Sequence, residues 1–138
     1  GKGAPGNLGA MVNGVKKGYY LNIAGGRAVK SILMAEDIAR IMPALVKKGG
    51  VYNVCDTFQP TFGQISESVA NQLGKRKPMS IPMWMAKCMA FVGDFLGSKV
   101  PINSYKLEKM TKNLTFINEK ARKELGWEPL DVLTNYKI

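Results

Sequence analysis

The sequence predicts a mixed α/β fold, and three observations carry that reading. Residues 51–55 (VYNVC) form a short apolar run with two β-branched residues and a tyrosine, the composition of a buried strand. After a polar turn at 56–60, Thr61 stands three residues before Gln64, a capping-box spacing, and Phe62, Ile65, Val69 and Leu73 recur at helical intervals until Gly74 stops the pattern. A strand that is apolar on both faces and turns into an amphipathic helix is half of a βαβ unit, and its usual place is a parallel sheet.

The other elements follow in chain order. Residues 1–6 are glycine-rich loop, and Asn7 is suited to cap a helix through Leu8, Met11, Val12 and Val15, with Lys16 and Lys17 at its negative end and Gly18 as the stop. Residues 19–24 and 29–34 read as two strands joined at Gly25 and Gly26, a hairpin or bent pair. Glu36 and Asp37 place acids at the start of a helix through Ile38, Ile41, Leu45 and Val46, with Pro43 expected to kink it and Gly49 and Gly50 to end it. A basic connector at 75–80 leads to Pro82 and a strongly apolar helix reaching Phe95. That helix reads as a core or lobe-interface element; a methionine-rich peptide-binding or membrane-surface helix is the alternative. Asn103 or Ser104 starts a helix to about Lys112, residues 114–117 form a short strand, and Asn118 caps a helix over 119–125 that Gly126 ends.

At 138 residues the chain is one domain by length, 46% apolar and 22% charged, as globular proteins are. Twenty Lys and Arg against ten acids give a net charge of +10, which favours phosphate-bearing partners. The basic residues are nevertheless spread over every segment, so they read as a solvated surface, and no nucleic-acid partner is expected. Two cysteines, Cys55 and Cys88, cannot build a disulfide framework, and without any histidine they make no Cys/His zinc site; no metal is expected, and the expected compartment is the reducing cytoplasm. The missing histidine also removes the commonest general base. The longest apolar stretch, 81–96, contains Lys87 and Asp94 and is too short to span a bilayer, so no membrane partner is expected.

From Asn7 onward, the ordered series GNLGAMV, YLNIAGG, VKSILMAEDIA, GVYNVCD, TFGQISESVANQLG and LTFINEKARKELGWEP resembles the C-terminal substrate lobe of the extended short-chain dehydrogenase/reductases, the NAD-dependent nucleotide-sugar epimerases and dehydratases. The resemblance implies the C-terminal portion of an NAD(P)-binding Rossmann-like enzyme. Residues 1–138 would form a single substrate-binding lobe, with 50–74 belonging to the sheet of an N-terminal Rossmann domain. The chain begins without Met and is expected to be a piece of a longer protein. By the same resemblance, of the UDP-hexose 4-epimerase kind, Asn7 holds the diphosphate of a nucleotide sugar, Asn22, Ile23 and Ala24 line the nucleobase, and Lys30 reaches a phosphate. Arg27, beside the double-glycine turn, is the alternative for that last role. NAD would be bound by the N-terminal half, because the glycines before Asn7 follow no strand and make no dinucleotide turn.

Tyr105 and Lys109 have the Tyr-x-x-x-Lys spacing of the family's catalytic pair, but that pair lies upstream of the matched segment, so no catalytic residue is expected here and the isolated piece should be inactive. A homo-oligomer is a candidate assembly. A basic nucleic-acid-binding module and a free-standing protein-interaction module are the alternative functions. The first would need aromatic residues interleaved with the basic ones, whereas Tyr19, Tyr20, Trp84 and Trp127 fall in unlike contexts.

Overall fold

The computed structural model describes residue 3 and residues 6–96 and 102–138. Most of the expected loop at 1–6 lies outside them. Among the described residues there are seven α-helices and two very short strands: α1 (Gly6–Lys17), β1 (Asn22–Ile23), α2 (Ala35–Lys48), α3 (Phe62–Gln72), β2 (Ser80–Ile81), α4 (Met83–Leu96), α5 (Ser104–Thr111), α6 (Glu119–Leu125) and α7 (Val132–Asn135). β1 and β2 pair in parallel, Asn22 opposite Ser80 and Ile23 opposite Ile81, with α2 and α3 in the connection between them.

Six of the helices form near the spans that period and caps predict, whereas α7 is not among those expected. Gln64 donates its amide to the Thr61 hydroxyl at 3.2 Å, while the Thr61 amide donates to the Gln64 side-chain oxygen at 2.9 Å, completing the capping box. Asn103 caps α5 by accepting from the Lys106 amide at 2.9 Å. The left-handed Gly126 (φ 64°) ends α6. α1 and α3 bury Met11, Val15, Ile65 and Val69 against each other. A second cluster joins Ile23 to Ala86, Ala90 and Leu107, a third joins Met34 to Val132 and Tyr136, and a fourth joins Ile41 to Ala121 and Trp127.

The strand expectations need correction. Residues 51–55 join no ladder among the described residues, and side chains take the carbonyls at the two ends of the segment. The Lys120 ammonium donates to the Val51 carbonyl at 3.1 Å, and the Cys55 carbonyl accepts from Asn118 at 2.9 Å and from the Trp127 indole at 2.8 Å. Asn118 is thereby drawn away from the capping role expected of it, and makes no side-chain cap to α6. Segments 19–24 and 29–34 do not form a hairpin: only Asn22 and Ile23 are strand, and they pair with β2 instead. Val29 and Lys30 make single bridges to Thr61 and Leu114, and the latter bridge is all that remains of the strand expected at 114–117.

Between the two expected strands the chain turns through Ala24, Gly25 and Gly26, all left-handed at φ 49°, 77° and 64°. Gly26 is pressed against the start of α3, where a Cβ would stand 2.6 Å from the Gly63 nitrogen. Pro43 sits inside a continuous α2.

Candidate functional site

A cleft of about 790 Å³ opens where five segments meet. Asn7 and Leu8 enter it from the start of α1, Lys30 and Ile32 from the irregular segment before α2, and Phe62 and Ile65 from α3. Tyr105, Glu108 and Lys109 come from α5, Lys112 from its C-cap, and Val132 and Tyr136 from α7 and its C-cap. A second cavity of about 480 Å³ is lined by Tyr19, Ile23, Met89 and Lys106, among others, and Asn7 and Phe62 border both. The floor of the large cleft is apolar and its rim carries amide and ammonium groups, which suits an organic ligand with an anionic part.

Lys30 is fixed by its surroundings. Its ammonium donates to the carbonyls of Lys109 at 2.9 Å and Lys112 at 2.5 Å, two of the free carbonyls at the C-terminus of α5, and it lies 5.5 Å from the centroid of the Phe62 ring. A lysine has three donors, so one remains for a ligand. Partial burial of this ammonium holds it below the ordinary lysine range. Beside it the Lys112 ammonium pairs with Glu108 and holds that carboxyl below the usual carboxylate range.

The structure brings Asn7 and Lys30 to one cleft and places Ile23 on the adjoining cavity. Asn7 is the second residue of α1, within its first turn and not the preceding cap. Asn22 and Ala24 line neither space. Asn22 is 4% exposed, accepts a 3.1 Å hydrogen bond from Ser66 and donates its amide to the Met79 carbonyl, so it braces β1 between α3 and β2. Ala24 packs against the cluster around Ala86.

The cleft also contains Lys109, Lys112 and Glu108, which the motif reading did not assign to a site. Glu108 and Lys109 lie in the last turn of α5, and Lys112 is its extended C-cap, so their arrival at the cleft follows from where that helix ends. The Lys109 ammonium lies 4.2 Å from the centroid of the Tyr105 ring, a cation–π contact with the ring face. Among the described residues no cluster of acids and cysteines could hold a metal, and no helix is long and apolar enough to cross a membrane.

No protein-family model matches the chain. No curated protein matches it either. Solved structures do. The crystal structure of gox2253 superposes with a TM-score of 0.62 at 20% identity, covering 91% of this chain and 39% of that one. A conserved protein of unknown function from Silicibacter pomeroyi gives 0.59 at 24% identity, over 83% of this chain and 37% of its own. The dTDP-glucose 4,6-dehydratase of Bacillus anthracis, solved in complex with NAD, gives 0.55 at 19% identity, over 88% of this chain and 33% of its own. At these identities the likeness shows a shared fold, and the chain spans less than two fifths of the length of each of the three.

Proposed function

We propose that this chain is the nucleotide-sugar-binding part of an NAD-dependent epimerase or dehydratase of the extended short-chain dehydrogenase/reductase kind, of UDP-hexose 4-epimerase type. The observation that carries the reading is the convergence of Asn7 and Lys30, the two residues assigned to the diphosphate, on one cleft of ligand size. The likeness of fold to a dehydratase solved with NAD supports it.

The diphosphate sits at the junction of the two cavities. There the first-turn amides of α1 and the Asn7 side chain donate from one side and the third Lys30 donor from the other. The base extends past Ile23 into the smaller space, and the sugar lies over Phe62 and Ile65. Lys109 and Lys112 add positive potential at the rim. Asn22 and Ala24 act through the backbone they hold.

NAD carries the hydride in enzymes of this kind. Among the described residues β1 leads into a 3-10 turn and not into a helix, so these residues do not form a strand–glycine–helix dinucleotide cradle. In this proposal the hydride chemistry is assigned to residues beyond those described. Titration of a UDP-sugar into the chain, followed by backbone amide shifts and repeated on Lys30→Ala, tests the reading.

A further inference from the structure

Helix α4 turns its small residues inward and its large apolar ones outward. Ala86, Ala90 and Gly93 are buried against the protein, whereas Trp84, Phe91 and Phe95 are 66%, 65% and 78% exposed. Trp84, Cys88, Phe91, Val92 and Phe95 fall at i, i+4, i+7, i+8 and i+11, a single outward stripe opposite the small residues. The Phe91 and Phe95 rings meet edge to face at 5.1 Å, which consolidates the stripe. A helix that merely covers the core has the reverse arrangement.

The described charged residues on α4 and on the connector before it are mostly basic: Lys75, Arg76, Lys77 and Lys87 against one acid, Asp94. That acid is engaged, accepting from the Ser104 amide at 2.9 Å and from its hydroxyl at 2.5 Å. Lys75, Arg76 and Lys77 are exposed on the connector just before β2 and α4, Lys77 pairing with Glu67 at 2.7 Å, and Lys87 is exposed on α4 itself.

We propose that this surface seats on an anionic lipid bilayer, with α4 lying in the headgroup plane, its aromatic stripe in the acyl boundary and the basic connector against the phosphates. Fourteen residues of helix are about 21 Å long, too short to cross a hydrocarbon core of roughly 30 Å and long enough to lie along it. An apolar face with Lys87 on the same helix and Lys75, Arg76 and Lys77 on the connector before it matches an anionic surface. Two copies of the same face would bring like charges together. Sequence alone leaves a membrane-surface helix as an alternative reading with no membrane partner expected, because which side chains face outward is decided by the fold.

The chain carries its own probe. Trp127 is 2% exposed and Trp84 is 66% exposed, so a lipid-induced change in tryptophan emission reports Trp84. Vesicles of phosphatidylcholine with an equal part of phosphatidylglycerol should shift the emission to the blue and carry the protein down on sedimentation; pure phosphatidylcholine should do so weakly, and added salt should reverse it. The double variants Phe91→Ser/Phe95→Ser and Lys75→Glu/Arg76→Glu alter only exposed side chains and should each reduce partitioning by roughly tenfold or more, with unchanged circular dichroism. Three results would overturn the proposal: no sedimentation with anionic vesicles, partitioning unaffected by both double variants, or a blue shift that grows with protein concentration in the absence of lipid. The last would assign the face to a second copy of the chain.

Discussion

One carboxylate oxygen of Asp56 accepts a 2.8 Å hydrogen bond from the backbone amide of Val132, 76 residues further along the chain, while the other accepts from the Phe58 amide. Asp37 makes the parallel contact from α2, accepting the Leu130 amide at 2.9 Å on one oxygen and the Arg40 guanidinium on the other. Both aspartates are almost wholly buried, so each bond is made in a low-dielectric setting, and together they pin residues 130–132 beneath the wall of the large cleft. A hydrogen bond to a charged group is worth roughly 1.5 to 3 kcal/mol, and removing the acceptor leaves a buried amide unpaired. Asp56→Ala should therefore cost about that much, Asp56→Asn less because one acceptor oxygen survives. Urea unfolding midpoints decide it; a loss under about 0.5 kcal/mol for the alanine variant would mean that water replaces the carboxylate.

The helices were legible in the sequence because their signals are local: the Thr61–Gln64 box, Asn103, the left-handed Gly126 and the 3.6-residue spacing of Phe62, Ile65 and Val69 need only near neighbours. Strands were not, because a strand exists only where a partner pairs with it. The segment 51–55 has strand composition, yet no described strand lies beside it, and Lys120, Asn118 and Trp127 hold the carbonyls at its two ends. Asn22 and Ile23 found their partner at Ser80 and Ile81, beyond the reach of any turn rule. The site was half legible: the motif series singled out Asn7 and Lys30, but the side-chain direction of Asn22 and the arrival of Lys109 and Lys112 depend on how α3 and α5 pack.

Gly26 and Gly74 have nearly the same left-handed φ, 64° and 61°, but only Gly26 has a backbone neighbour within van der Waals reach of an added Cβ. Gly74→Ala should cost about 1 kcal/mol for conformation alone, and Gly26→Ala about 2 to 4 kcal/mol for conformation plus the collision with Gly63. Thermal unfolding of the two variants side by side separates the terms. Equal losses would show that the turn yields without strain on α3.

Burial pushes the Tyr20 phenol from 10.0 up to about 12. The folded state thus favours the neutral form, so its stability is complete below pH 10 and is lost as pH rises from 10 to 12, by roughly 2 to 3 kcal/mol in all. Tyr20→Phe should leave stability at pH 7 nearly unchanged and flatten the fall above pH 10. Denaturant midpoints at pH 8, 10 and 11 give the comparison, and superimposable pH profiles for the two proteins would place the Tyr20 hydroxyl in water.

The titration of a UDP-sugar into the isotope-labelled chain tests the central claim most directly, with Lys47→Ala on the exposed end of α2 as the control. Amide shifts should concentrate at Asn7, Ile23, Lys30 and the end of α5. Affinity should fall about tenfold to a hundredfold in Lys30→Ala, stay mostly intact in Lys30→Arg and be unchanged in Lys47→Ala. Equal affinities for Lys30→Ala and Lys47→Ala, or shifts that spare the two cavities, would contradict it.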